Sequence, residues 1–296
     1  MKVQGNSIIT YDGNLLNTEG LKIEQVATGF QFTEGPVWHP ENFLLFSDIP
    51  ANCIWQLYPD GRKKIYLENS GFSGDDTTEL SDQVGSNGLS IDNKGNLVIC
   101  QHGNHSLAML DKYSVISVLT GYYEGRRYNS PNDLAIRSDG SIYFSDPPYG
   151  LKDQVHHPQR FQPGGGVYRY KDGEVILLTE DLRYPNGVCF SPDESHLYVG
   201  SSHGGEANVW CYELTKSGEL QHPRILIENN ADGIKTDRSG NVFLATDEGV
   251  LIVSPEGRRM VMIHLPETPA NLAWVKPSYD TLYVTARTSV YRISGF

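Results

Sequence analysis

Six copies of one short pattern run along the chain, and this internal repeat limits the possible folds more than any other feature. Each copy opens with a polar residue, continues through a short apolar stretch, turns at Asp, Asn, Gly, Pro or Ser, and ends in a second apolar stretch. The opening residues are Glu34, Asn87, Asn132, Asn186, Asp232 and Asn271. Intervals of about 40 to 55 residues are typical of four-stranded propeller blades. The sequence therefore predicts an all-β fold, a six-bladed β-propeller.

The composition of each copy indicates strands joined by hairpins. Pairs such as LAI and IYF are rich in β-branched and aromatic residues, which favour strands. The segments DNKG, RSDG and DRSG between such pairs are typical hairpin turns. Since no amphipathic pattern of ten or more residues indicates a helix, α/β-hydrolase and Rossmann folds are disfavoured. We predict a single propeller domain over residues 1–296.

Three segments lie outside the repeat. We expect LKIEQVATGF, which begins at Leu21, to add an outer strand to the final blade, close the ring and remove free sheet edges. Residues 71–86 and 151–166 are irregular insertions that lengthen two of the intervals. Insertions in a propeller gather at the channel mouths, so they either roof a substrate pocket or form plain surface loops.

Charge and hydropathy narrow the range of partners. The formal net charge is −12, and no Lys/Arg cluster is long enough to follow a phosphate backbone, so we expect no nucleic-acid partner. No stretch of eighteen apolar residues indicates a membrane span, and the first residues lack the apolar run of a signal peptide. The expected location is the cytoplasm, with the periplasm open if an export signal was removed. The pattern does not set the oligomeric state.

The polar residues that open the six copies predict a common site. The first strand of a propeller blade lines the central channel, so these side chains should converge at one mouth. Any single Asn-Gly or Asp-Gly pair is usually a turn, but the shared position in all six copies favours a site. Two carboxylates among neutral amides balance one divalent cation, and oxygen ligands favour Ca2+ first, then Mg2+, with Mn2+ and Zn2+ as alternatives. Coordination positions left open would accept water and substrate.

Four motifs resemble those of a known family. TEGPVW, SPNDL followed by SDGSIYFSDPPYG, YPNGVCFSPD and ADGIKTDRSGNVF resemble the gluconolactonase and regucalcin-like (senescence marker protein) family, of which diisopropylfluorophosphatase is a more distant relative. The match runs from about Phe32 to about Asn241 in the family's order. The resemblance implies a metal-dependent lactonase whose small-molecule substrate is a sugar lactone.

The same resemblance implies roles for individual residues. Glu34, Asn186 and Asp232 would bind the metal, and Asn132 would be either a fourth ligand or a substrate contact. The segment QHGN resembles the gluconolactonase branch, in which His102 would stand near the mouth.

Further residues are expected to line the substrate pocket: Asn87, Asp133, His203 and Asn271. One departure concerns sugar recognition, because some relatives carry an Arg where this chain has Ser130. Arg126, Arg127 or Tyr128 could take its place.

The expected reaction is attack of a metal-adjacent water on a polarised lactone carbonyl, with oxyanion charge developing beside the cation. Asp232 is our first choice for the base. Alternatively, Asp232 only anchors the metal, and Asp133 or His102 moves the proton. Two other functions stay open: a phosphotriesterase that uses the same metal site, and a propeller that only binds a ligand or a protein.

Overall fold

The computed structural model describes residues 6–12, 16, 18–156, 161–202 and 207–296. This part of the chain contains 27 strands and one 3-10 helix, Gln154–His156. The first strands are β1 (Ser7–Thr10), β2 (Lys22–Thr28), β3 (Thr33–His39), β4 (Phe43–Asp48), β5 (Cys53–Leu57), β6 (Lys63–Glu68), β7 (Ser86–Ile91), β8 (Leu97–Gln101), β9 (Ser106–Leu110), β10 (Ile116–Thr120), β11 (Tyr122–Tyr123), β12 (Arg126–Arg127), β13 (Leu134–Ile136) and β14 (Ile142–Asp146). The others are β15 (Gly166–Lys171), β16 (Glu174–Thr179), β17 (Pro185–Phe190), β18 (His196–Ser201), β19 (Asn208–Leu214), β20 (Leu220–Ile227), β21 (Ile234–Thr236), β22 (Val242–Ala245), β23 (Val250–Val253), β24 (Arg259–His264), β25 (Pro269–Trp274), β26 (Thr281–Ala286) and β27 (Ser289–Ser294).

Six antiparallel sheets form the blades, and the predicted six-bladed propeller is confirmed. Blades one to four are β3–β6, β7–β10, β13–β16 and β17–β20, each in chain order. Blade five is β21–β24 with β1 at its outer edge, and blade six is β25–β27 with β2 outside it. The innermost strands contact one another in a closed circuit, β3, β7, β13, β17, β21 and β25, which then returns to β3. The pair β11 and β12 forms a separate small ribbon.

The apolar core is divided into six clusters, one at each interface between neighbouring blades. In β8, for example, Leu97 and Ile99 pack toward blade one, whereas Val98 and Cys100 pack toward blade three. Because alternate side chains of a strand point to opposite faces, a blade that is buried on both faces needs a continuous apolar run. This explains why the sequence reads LLF, LVI and LYV in these strands.

The N-terminal segment closes the ring, as predicted. β2 pairs antiparallel with β27, from Lys22 opposite Ser294 to Thr28 opposite Ser289. The sequence did not predict a role for β1, which pairs with β24 and gives blade five a fifth strand. Within the described ranges, no helix is long and apolar enough to span a membrane.

Glycines next to the polar repeat residues allow the innermost strands to approach closely. Gly88 N–H donates to Asn132 O at 2.7 Å, and Gly187 N–H donates to Asp232 O at 2.7 Å. A Cβ atom on Gly187 would lie 2.3 Å from Asp232 O, which is far inside any normal contact. The Asn-Gly pairs of these blades therefore lie at strand-to-strand contacts and not at turns.

We predict that Gly187→Ala lowers the free energy of unfolding by about 1–3 kcal/mol, because the new methyl group forces two blades apart. Gly121→Ala is the matched control, since its Cβ would meet its nearest neighbours at 3.8 Å. Urea unfolding followed by tryptophan fluorescence measures both. Equal stability of the two variants would contradict the proposed close approach.

Candidate active site at the mouth of the channel

The polar residues that open the sequence repeats lie at one end of the innermost strands. We call them the polar ring: Glu34, Asn87, Asn132, Asn186, Asp232 and Asn271. Four belong to innermost strands, while Asn132 and Asp232 stand two residues before β13 and β21. Five are buried, and Asp232 is only partly so. Asp232 is therefore the ring carboxylate that solvent and substrate can reach.

Glu34 is a buried carboxyl group that is held at one oxygen. Its Oε2 accepts hydrogen bonds from Gly35 N at 2.6 Å and from Asn271 Nδ2 at 3.1 Å. Burial, then the nearby charge of Asp232 and that of Asp133, raise the pKa of Glu34 well above its usual value. Two donors do not offset this cost, so the site favours either a proton or a cation at Glu34.

Asp232 shares this environment. Burial raises the pKa of Asp232 to about 7, although the Asn186 side chain and the Arg287 guanidinium group act in the opposite direction. Asn186 Nδ2 also donates to Ser202 Oγ at 2.9 Å. Because an amide nitrogen only donates, the oxygen of Asn186 is the atom of this side chain that could bind a cation.

Asp133 contacts the polar ring through Asn271. Asp133 accepts hydrogen bonds from Leu134 N at 2.9 Å and Val188 N at 3.3 Å. Asn271 Nδ2 lies 3.1 Å from Glu34 Oε2 and 3.5 Å from Asp133 Oδ2, so one amide nitrogen bridges two carboxylates. Asn271 Oδ1 accepts from Leu272 N at 2.8 Å. These contacts fix the orientation of the Asn271 amide.

His102 fixes the orientation of Asn87. His102 Nδ1 lies 3.1 Å from Gln83 O, and a carbonyl can only accept, so Nδ1 carries the proton. The Nε2 atom then accepts from Asn87 Nδ2 at 3.4 Å. Burial lowers the pKa of His102 to about 4, which keeps its imidazole group neutral near pH 7. Asn87 Oδ1 is left buried without a hydrogen-bond partner within the described residues.

Tyr149 is a mouth residue that sequence reasoning missed. Burial raises the pKa of its hydroxyl above the usual value, and Ser202 and Asn186 hydrogen-bond to it beside Asp232. Its ring stacks on Tyr184 with centroids 5.8 Å apart. Tyr149 belongs to the motif SDPPYG, but it stands outside the repeat, so only the resemblance could have drawn attention to it.

The two insertions pack against each other on the ring side of the propeller. Leu80 and Leu151 form an isolated antiparallel bridge, and Ser81 Oγ donates to Tyr149 O at 2.9 Å. The insertion 71–86 also supplies Gln83 O, which holds His102. The contacts with Tyr149 and His102 favour the roof interpretation over plain surface loops.

Other predicted contacts fall elsewhere. His203 lies outside the described residues, so its role stays a prediction. Tyr128 is fully buried between blades two and three, where its hydroxyl donates to Tyr122 O at 3.1 Å, so it cannot replace the missing Arg in sugar recognition.

Arg126 and Arg127 are exposed on the β11–β12 ribbon, and Arg127 Nη2 donates to Asn104 O at 3.0 Å. Ser130 is buried and donates to Pro147 O at 2.5 Å.

Two basic residues near the ring also escaped the sequence analysis. Arg287 is exposed, and its guanidinium carbon lies 5.0 Å from the centroid of the Phe32 ring. Lys235 lies on β21, three residues after Asp232, and its Nζ is 3.2 Å from Asn271 Oδ1 and 3.8 Å from Asp133 Oδ2. The other copies have different residue types at the position of Lys235, such as Ser90 and Ala135, so the repeat held no signal for its charge.

The chemistry of the ring fits a hard divalent cation. Among the described residues, no three His, Cys, Asp or Glu side chains are placed to hold a metal ion, so any site must use amide oxygens as well. Glu34 and Asp232 supply the negative charge, and Asn132 and Asn186 can supply neutral oxygens. The partnerless Asn87 Oδ1 shows that the pocket has acceptor capacity that the protein leaves unused. Oxygen donors of this kind suit Ca2+ or Mg2+.

Known proteins with similar sequences and folds share this architecture. The chain is 34% identical to a gluconolactonase from Zymomonas mobilis over 287 residues, which is 92% of this chain and 80% of the relative. A solved gluconolactonase from Xanthomonas campestris superposes with a TM-score of 0.85 at 24% identity, covering 99% of this chain and 95% of that one. A calcium-binding regucalcin from Agrobacterium tumefaciens shares the fold with a TM-score of 0.74 at 17% identity, covering 93% and 96%.

The family assignment rests on a match to a family model over most of the chain. Residues 32–288 match the family model described as SMP-30/Gluconolactonase/LRE-like region, which spans all six copies of the repeat. The chain therefore belongs to the SMP-30/gluconolactonase/LRE-like family.

Proposed function

We propose that this protein is a divalent-metal-dependent lactonase that opens a sugar lactone at the mouth of its central channel. One observation carries the proposal: the carboxyl groups of Glu34 and Asp232 lie in one ring with four amide side chains, at one end of the innermost strands. The gluconolactonase relative supports the choice of substrate. The calcium-binding regucalcin with the same fold supports the choice of cation.

The residues that would hold the cation are Glu34, Asn132, Asn186 and Asp232. Two carboxylates and two neutral amides favour Ca2+, which takes six to eight oxygen ligands and would leave positions for water and substrate. When bound, the cation would polarise the lactone carbonyl and stabilise the charge that develops on its oxygen.

Asp232 is the best-placed base in the ring. It is the ring carboxylate that solvent reaches, so a water that enters the mouth can give its proton to this group. Asp133 is a weaker candidate, because backbone and side-chain donors already engage its oxygens. His102 is weaker still, since both of its ring nitrogens have protein partners and its pKa is low.

The other residues position the substrate. Asn87 Oδ1 can accept a hydrogen bond from a sugar hydroxyl, and His102 holds the amide in the orientation that this requires. Tyr149 is partly exposed at the mouth, where its ring stacks on the buried ring of Tyr184 and can border the substrate. Asn271 has partners at both ends of its amide, so we assign it the positioning of Glu34 in place of the substrate contact expected from the sequence.

Removal of the metal or of either carboxylate should abolish turnover. We expect EDTA to abolish the hydrolysis of gluconolactone and Ca2+ to restore it. Glu34→Gln and Asp232→Asn should each lower kcat/KM at least about 100-fold, because each removes charge that the transition state requires. The exposed Glu41→Gln, from the β3–β4 turn, is the matched control and should keep wild-type activity. A pH-indicator assay follows acid release.

Two results would overturn the proposal. One is full activity of the chelated protein or of both variants. The other is a higher kcat/KM for a phosphotriester such as paraoxon than for any aldonolactone, which would favour the alternative phosphotriesterase reaction.

The raised carboxyl pKa values predict an unusual pH dependence of stability in the metal-free protein. Between the unfolded pKa near 4 and the folded pKa of about 7, native Asp232 binds more protons than the unfolded chain does. This contribution to stability is therefore full at low pH and is lost as the pH rises through about 7. The Asp232→Asn variant lacks the effect.

Urea unfolding in EDTA tests this dependence. We expect the free energy of unfolding to fall from pH 5 to pH 8 by roughly 2 kcal/mol more in the wild-type protein than in Asp232→Asn. Added Ca2+ should restore the wild-type protein at pH 8. If the two proteins lose the same stability across this range, Asp232 does not have a raised pKa.

A further inference from the structure

Lys235 approaches the polar ring from the side opposite the mouth. A cavity of about 670 Å³ lies at the far end of the channel and is lined by Lys235 and by parts of every innermost strand. On each of these strands, the lining residues follow the ring residue in sequence, as Val37 follows Glu34. The ring therefore separates the substrate mouth from the far-side cavity, and Lys235 extends between them.

The ammonium group of Lys235 is held against the ring by three contacts. Nζ donates to Ile234 O at 2.9 Å and to Asn271 Oδ1 at 3.2 Å, and it lies 3.8 Å from Asp133 Oδ2. The Asp133 side chain is only 4% exposed and that of Lys235 is 25% exposed, so water screens this pair weakly. Lys235 therefore offsets the charge of Asp133 close to Glu34, since Asn271 contacts both Lys235 and Glu34.

The charges around the ring then amount to those of a divalent site. Glu34, Asp133 and Asp232 carry three negative charges when ionised, and Lys235 leaves two for a cation to neutralise. Arg287 also acts on Asp232, but it is exposed at the mouth, where solvent and substrate reach it. Lys235, in contrast, contacts the ring from the side of the far-side cavity, away from the mouth.

We infer that Lys235 is a specificity-determining residue, which sets the ring charge so that the site selects divalent over trivalent cations. The inference rests on the proposed metal site. Removal of one positive charge near the site strengthens the binding of every cation in proportion to that cation's charge. A trivalent cation therefore gains more than a divalent one, by the interaction energy of one unit charge. At the effective dielectric of a partly buried site, that corresponds to at least about a tenfold change in relative affinity.

A purely positioning role would give a different result. Lys235 also orients Asn271, which holds Glu34, so a loss of order would weaken the binding of both ions together. The ratio of the Tb3+ and Ca2+ affinities separates the two effects, because disorder leaves the ratio unchanged and charge alters it.

Luminescence titration with Tb3+, with Ca2+ as competitor, measures this ratio without any enzyme assay. We expect Lys235→Met to raise the ratio of Tb3+ to Ca2+ affinity at least about tenfold. Lys235→Arg keeps the charge and should stay near the wild-type ratio. Lys276→Met removes an exposed lysine from the same cavity and should do likewise.

A second variant that removes a negative charge should change the ratio in the opposite direction, so the test does not depend on the folding of any one variant. Asp133→Asn should lower the ratio about tenfold, and the double variant Asp133→Asn/Lys235→Met should return to the wild-type ratio. Suppose that the wild-type protein binds Ca2+ but the ratio is unchanged in Lys235→Met or in Asp133→Asn. This result would overturn the role of Lys235 and leave the proposed metal site intact. If the wild-type protein binds neither ion, the proposed metal site fails and this role of Lys235 fails with it.

Discussion

The arrangement of the channel mouth depends on how closely the innermost strands approach one another. Hydrogen bonds from Gly88 to Asn132 O and from Gly187 to Asp232 O join β7 and β17 to the polar residue that opens the next blade. These contacts leave no space for a Cβ atom, so they hold Asn132 and Asp232 close to the preceding blade. A ring with less closely packed strands would not concentrate carboxylates and amides at one point.

That concentration of polar groups is unfavourable in the absence of a cation. Burial and nearby carboxylates raise the pKa values of Glu34 and Asp232, and the amide oxygen of Asn87 has no hydrogen-bond partner among the described residues. The six apolar interfaces between the blades offset this unfavourable free energy and hold the ring in place. Strain of this kind is common at functional sites, where a ligand relieves it.

Much of the fold could be predicted from the sequence, because a propeller repeats one unit. The six copies located the blades, and the shared position of Glu34, Asn186 and Asp232 located the ring. The general preference of a single Asn-Gly pair for turns does not describe these pairs, because their glycines serve the contact between strands. The extra strand β1 was also missed, since it lies before the first copy.

Residues whose type does not recur in the repeat could not be predicted in the same way. Tyr149 reaches the mouth from the chain just before an insertion, and Gln83 fixes His102 through a backbone carbonyl, which no side-chain pattern reveals. Lys235 occupies a position that other copies fill with different residue types, such as Ala135 and Ser90, so its charge carries no periodic signal. Long-range contacts, and not local pattern, decide what these residues do.

A crystal structure of the protein grown with Mn2+ tests the central claim most directly, because the anomalous signal of the ion marks its position. We predict one strong anomalous peak per chain, within coordination distance of oxygen atoms from Glu34, Asn132, Asn186 and Asp232. A well-ordered polar ring with no peak, or with the only peak elsewhere on the propeller, would contradict the assignment of the ring as a metal site.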